Sequence, residues 1–252
     1  MELFDVLKAR AGIPVDDPFA WLLALKLGTT EYRFVEYLQN SGTQYIETDI
    51  VPDYQTRLEV NLELTYSVNN ASEGLFGYGG YQGAHYRIVV NKGSYGMRAD
   101  FYDGNSHWTG DLASVTKDTL LNQRVLAVLD RPECSWGSDV VAYPYSINAN
   151  SPIFGFPFFA TSGNFGGISR LKNFYYRLYS AVFSKNGSVS HWLIPAERKR
   201  DSALGLYDMM TGNFYPGTGT FQKGDYFEPY QTSDGLILKT SNAQIYLVKE
   251  ES

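Results

Sequence analysis

The most regular stretch of the chain is Arg57 to Tyr66, where Leu58, Val60, Leu62 and Leu64 alternate with Glu59, Asn61 and Glu63. A period of two puts the leucines and valine on one face of a strand and the polar residues on the other. The same reading predicts a strand at Phe34–Leu38, a turn at Asn40–Gly42, a strand at Gln44–Thr48 and a turn at Pro52-Asp53. Further predicted strands are Gly74–Gly79, Tyr86–Asn91, Gly96–Tyr102, Arg124–Asp130, Ile153–Ala160, Arg170–Ser184 and Val189–Ile194, separated by Gly, Asn, Asp and Ser clusters. In Arg170–Phe183 the apolar positions Leu171, Phe174, Tyr176, Leu178, Tyr179 and Phe183 mix two faces, which predicts one long strand buried on much of both sides. Short strands at this spacing build an all-β, two-sheet antiparallel sandwich, predicted here over residues 31–223. The tail, 224–252, reads as a separate hairpin or arm, with Leu236–Leu238 and Ile245–Val248 flanking Thr240–Asn242.

Residues 1–30 follow a different rule. Leu3, Phe4, Val6 and Leu7 form a short helical pattern that ends near Gly12. Asp16 or Asp17 can cap a second helix that has Pro18 in its first turn and Gly28 after its end. That helix, Phe19 to Leu27, is apolar on nearly every side, so it needs a surface to dock on. Its own sandwich and a partner subunit are both open as that surface. As partner-docking residues the pattern singles out Leu3, Phe4, Leu7, Phe19, Trp21, Leu22, Leu23 and Leu25.

Composition sharpens this picture. Aromatics make up 15% of the 252 residues, with 20 Tyr and 15 Phe, a bias that favours strands. The net charge of −6 argues against nucleic acid as the main partner, because phosphate binding needs a basic face. The one basic run, Arg198–Arg200, is flanked by Glu197 and Asp201 and reads as a solvated loop. The single cysteine, Cys134, allows no intrachain disulfide, which suits folding in a reducing cytosol. No signal peptide is visible, and no apolar run approaches the ~20 residues of a membrane helix, so membrane insertion is not expected.

Three stretches carry a family resemblance. Val35-Glu-Tyr-Leu-Gln-Asn-Ser-Gly-Thr-Gln-Tyr-Ile-Glu-Thr48 resembles the opening of laminin G-like, concanavalin A-like jelly-roll domains common in phage and prophage structural genes. Gly167–Tyr179, continuing to Trp192–Arg198, resembles a long strand of that group, and Ala203–Tyr215 with Gly219–Phe221 resembles its closing motif. The resemblance implies a jelly-roll fold and a phage structural setting. The leader is similar, more loosely, to segments placed before such domains in phage structural proteins. It follows that the chain is expected to be a non-enzymatic virion component, assembled in the host cytoplasm. Its partners would be other virion subunits bound through residues 1–28, further copies of itself in a homo-oligomer, and a cell-surface glycan.

The sequence offers two places for chemistry. Glycan recognition needs aromatic platforms beside amides and acids, and the richest loops supply Tyr78, Tyr81, Tyr102, Asp103, Asn105, His107 and Trp108. The alternative is hydrolysis. Glu59-Val-Asn-Leu-Glu63 resembles the Glu-x-Asp-x-Glu strand of laminarinase-like glycosidases, with Asn61 where those enzymes carry Asp. No metal spacing links His85, His107 and His191, no nucleophile elbow or phosphate-binding loop is present, and no cofactor is expected.

Overall fold

A computed structural model describes residues 31–53, 55–67, 73–78, 85–90, 97–102, 107–112, 121–130, 133–142, 155–162, 168–170, 174–232, 235–239 and 244–248. Among them there is no helix, and the fold is all-β. The leader predicted as helical, with Leu3, Phe4, Leu7, Phe19, Trp21, Leu22, Leu23 and Leu25, lies outside the described residues.

In chain order the first strands are β1 (Tyr32–Phe34), β2 (Leu38–Gln39), β3 (Tyr45–Glu47), β4 (Thr56–Ser67), β5 (Glu73–Tyr78), β6 (His85–Val90), β7 (Met97–Tyr102) and β8 (His107–Leu112). Next come β9 (Arg124–Leu129), β10 (Glu133–Trp136), β11 (Asp139–Ala142), β12 (Pro157–Phe158), β13 (Ala160–Ser162) and β14 (Ile168–Arg170). The remainder are β15 (Phe174–Lys185), β16 (Ser188–Arg198), β17 (Ala203–Asp208), β18 (Phe214–Thr218), β19 (Gln222–Lys223), β20 (Glu228–Thr232), β21 (Gly235–Lys239) and β22 (Gln244–Val248).

One sheet runs β11-β10-β9-β4-β15-β16-β17-β18. The other runs β8-β7-β6-β5-β13-β14, with β12 beside β5 and β3. They join where β18 pairs with β3. The last three strands form their own antiparallel sheet, β20-β21-β22. Thus the tail holds three strands rather than the two its apolar runs suggest.

The alternation in β4 is what the packing uses. Leu58, Val60, Leu62 and Leu64 are fully buried, whereas Glu59, Asn61 and Glu63 are half-exposed. These leucines meet Leu75, Phe76, Ile88, Phe156, Phe158 and Phe183 in one continuous core between the sheets. Each fully buried side chain of this size contributes about 1.5–3 kcal/mol through removal of apolar surface from water.

The Arg170–Ser184 stretch departs from its predicted form. It is two strands, β14 and β15, and β15 is not buried on both sides. Phe174, Tyr176 and Leu178 face the core, then a β-bulge between Leu178 and Ser180 shifts the phase so that Ala181 and Phe183 face it instead. One extra residue at Tyr179 reverses the parity of a period-two pattern. This makes a one-sided strand look two-sided.

β15 and β16 separate beyond the Ala181–Leu193 pair. The fork between them is filled by β2 against β15 and β1 against β16. β19 then pairs with β2, and Tyr226 bridges to Val35 beside β1. Pro195 sits at this fork, which explains how β16 continues past the predicted stop at Ile194. Its missing N–H falls on the side where only its carbonyl is used, accepting from Val35 N at 3.0 Å.

The polar positions of the Val35–Thr48 stretch also have structural work. Buried Asn40 donates to Phe174 O at 3.2 Å and accepts from Tyr176 N at 2.8 Å, stitching the fork to β15. Gln44 accepts from Ser41 N and Thr43 N and donates to Thr220 O at 2.8 Å. Thr48 donates to Phe156 O at 2.8 Å.

The stack has two distinct ends. Thr56, Lys185 and Ser188 share one; Ser67, Phe174, Arg198 and Tyr32 share the other. The two sheets are aligned at the first, because the Tyr86 hydroxyl lies 3.1 Å from both Thr56 O and Leu129 O. Both ways out of the sandwich lie at the second. β1 enters from that end, and Phe227, donating to Phe34 O at 3.0 Å, runs antiparallel to β1 towards it.

Candidate functional site

The strand ends that flank the loops proposed for glycan contact, at Tyr78, His85, Tyr102 and His107, lie at the first end. β5 finishes at Tyr78 and β6 starts at His85, so segment 79–84 leaves there. β7 finishes at Tyr102 and β8 starts at His107, so segment 103–106 leaves from the same end, one strand away. β13, parallel to β5 with Ser162 opposite Tyr78, brings segment 163–167 to that end as well. Tyr81, Asp103 and Asn105 lie outside the described residues.

Register divides the other four. Tyr78, Tyr86, Phe101 and Trp108 form one cross-strand row. Tyr102, His85 and His107 form the next. Adjacent rows belong to opposite faces of a sheet. The Tyr86 row is the one that packs inward, since Tyr86 lies against the core and its ring meets Phe156 edge-on at 6.2 Å. Tyr102 and His107 are therefore in one register row at the loop end, and Tyr78 and Trp108 in the adjacent one.

The carboxylates of β4 are both engaged. Arg57 Nε donates to Glu59 Oε1 at 2.8 Å, and its Nη1 donates to Asp130 Oδ2 at 2.6 Å. Glu63 accepts from Arg177 Nη1 at 3.2 Å and from the Tyr179 hydroxyl at 2.6 Å. Glu63 is the centre of a network on the outer face of the first sheet. Arg124 stacks over the Tyr179 ring at 3.9 Å and donates to Asn61 Oδ1 at 2.8 Å. Arg177 stacks over Tyr37 at 4.6 Å and donates to Gln39 Oε1 at 3.0 Å. Tyr37 and Tyr179 meet edge-on at 5.7 Å. Burial, reinforced by the Glu63 charge, pushes the Tyr179 phenol up to about 12, so it stays a donor to Glu63. The bulge at Tyr179 turns that side chain outward, and a plain period-two reading has no signal for it.

Asp208 is the second group missed in the sequence. It is fully buried at the end of β17. Its oxygens accept from Trp192 N at 3.0 Å, Met210 N at 2.9 Å and Thr211 Oγ1 at 2.7 Å. Burial opposes its charge, but these donors and His191 outweigh burial and hold the carboxyl below its usual range. An ionised carboxylate only accepts, which assigns the proton to His191 Nδ1, 2.8 Å from Asp208 Oδ2. The Asp-x-x-Thr spacing before Gly212 was the available signal, as it marks a side chain that caps its own turn. The pair organises the 209–213 turn: Asp208 N and Gly212 N close it onto Asn213 O and Asp208 O, both at 2.8 Å.

Cys134 is fully buried, and burial pushes its thiol up to about 12. Such a thiol is no nucleophile near neutral pH. No cluster of three or more His, Cys, Asp or Glu suited to a metal ion occurs among the described residues. No family model matches the chain, and no curated protein matches it in sequence.

Proposed function

We propose that the chain is a non-catalytic virion structural protein that presents a jelly-roll, concanavalin A-like domain to host-surface glycans. The observation that carries this reading is the separation of two ends. Segments 79–84 and 103–106, which carry Tyr81, Gln82, Asp103 and Asn105 between strand ends bearing Tyr78, Tyr102 and Trp108, leave one end of the sandwich. The chain enters and leaves at the other, where residues 1–28 would attach to neighbouring virion subunits and to further copies of the chain. That is the layout of a module held by one end and read at the other. The partners of Glu59 and Glu63 support the non-catalytic part, because Arg57 holds Glu59 Oε1 and Arg177 and Tyr179 hold both oxygens of Glu63, which acid/base chemistry needs free. The resemblance of Val35–Thr48 and Ala203–Tyr215 to phage-encoded jelly rolls supports the virion setting.

The test is to purify particles from the encoding strain on a density gradient and identify their proteins by mass spectrometry. The chain should band with the particles, and deletion of residues 1–28 should release it into the soluble fraction. A full-length chain that is absent from particles would overturn the virion reading.

A further inference from the structure

The outer face of the first sheet carries a second apolar cluster, separate from the core. Its buried centre is Phe34, Ala196 and Met209. Around it stand Trp192, Ile194, Tyr207 and Phe214, all half-buried, with Phe227 at the margin. Cross-strand pairing assembles it: Ala196 faces Phe34 across β1, and Tyr207 faces Ile194 and Phe214 across β16 and β18. Tyr32 extends the cluster towards the entry of the chain, with ring centroids 4.8 Å from Tyr207 and 5.2 Å from Phe214. An aromatic patch of this kind on the solvent side of a sheet is unusual unless something covers it.

We infer that residues 19–27 of the same chain cover this patch. The length of the connection is the argument. Glu31, whose carbonyl accepts from Lys199 N at 2.8 Å, is fixed at the patch edge beside Tyr32. Only Gly28, Thr29 and Thr30 lie between it and Leu27. Four Cα steps reach at most about 14 Å, which confines Leu27 to the neighbourhood of Tyr32, Arg198 and Phe214. A nine-residue helix is about 13 Å long. The outer face of β16 from Arg198 back to Trp192 is about 20 Å, long enough to seat it. The Phe19–Leu27 stretch is apolar on nearly every side, so one face can lie on the patch while the opposite one remains for a neighbouring subunit. The leader is thereby fixed against the sandwich at the end far from segments 79–84 and 103–106. This inference stands independently of the virion setting.

Disulfide trapping in the full-length chain tests it, with Cys134 left in place because it is buried. Ile194→Cys is combined in turn with Trp21→Cys, Leu22→Cys, Leu23→Cys and Leu25→Cys, and each protein is oxidised under mild conditions. The result expected is a disulfide within one chain, seen as a faster monomer band on non-reducing gels, for positions three or four apart that share a helix face. Tyr207→Cys replaces Ile194→Cys should the latter fail to fold. Disulfides formed only between chains would assign the patch to a second copy and overturn the inference. So would the absence of a disulfide from every leader position, and so would trapping by Ile237→Cys of β21 in their place.

Discussion

Tyr176→Phe is the most revealing single change in the sandwich. Tyr176 is fully buried in β15, and its ring stacks on Phe159 at 4.4 Å. Phe159 has a φ of +60°, which interrupts the run between β12 and β13 and turns its N–H out of the ladder. That N–H donates to the Tyr176 hydroxyl at 2.7 Å, and the hydroxyl donates onward to Leu75 O at 3.3 Å. One oxygen therefore serves a donor and an acceptor of the facing sheet. Phenylalanine keeps the stack and removes the oxygen, leaving Phe159 N–H buried and unpaired. The cost of an unsatisfied buried donor is about 1–3 kcal/mol. Taking about 2 kcal/mol, and about 2–4 °C per kcal/mol for a domain of this size, Tm should fall by about 4–8 °C. Thermal and urea unfolding followed by circular dichroism would read it, with an unchanged m value. Tyr66→Phe, at a side chain 45% exposed, is the control and should change little. A loss below about 0.5 kcal/mol for Tyr176→Phe would refute the claim that this hydroxyl ties the sheets together.

Other consequences are equally open to measurement. Asp208 has a depressed folded-state pKa, so its stabilising effect is present above its unfolded value of 3.8 and is lost as pH falls through the lower folded value. Asp208→Asn should cost about 2–3 kcal/mol at neutral pH and flatten the loss of stability on acidification below pH 4; an unchanged acid-unfolding curve would contradict the assigned charge. Cys134 should resist iodoacetamide in the native state and react only on unfolding, which mass spectrometry would follow. Gly155→Ala would bring a Cβ to 1.5 Å from Thr48 O, so it should reach the upper part of the about 1–3 kcal/mol range for overpacking or abolish soluble expression.

How far the sequence reveals the fold depends on how regular each strand is. β4 is legible because its two faces see different media over its whole length, and Leu58–Leu64 record that directly. β15 is misread because a bulge is one residue of backbone, with no composition of its own. Its effect on Phe174–Phe183 imitates burial on both faces. β16 is cut short in the reading by Pro195, whose tolerance depends on a fork that only the tertiary structure creates. The site follows the same logic. Tyr102 and His107 are recognisable as loop-end residues, but the row that Trp108 shares with Tyr86 is a matter of register across four strands. For Asp208 the Asp-x-x-Thr spacing signals a side chain that caps its own turn, but its burial and its contacts to His191 and Trp192 of β16 come only from the tertiary structure.

The proposed function is recognition without catalysis at the end of the sandwich that carries Tyr102 and His107. The most direct measurement is a host-polysaccharide binding and cleavage assay on the full-length chain, run with Tyr102→Ala/His107→Ala and Glu59→Gln/Glu63→Gln. The native chain should retain intact polysaccharide, the loop variant should retain it at least tenfold more weakly, and the carboxylate variant should retain it fully. Shortened polysaccharide products that disappear in Glu59→Gln/Glu63→Gln would contradict the proposed function and make the β4 carboxylates catalytic.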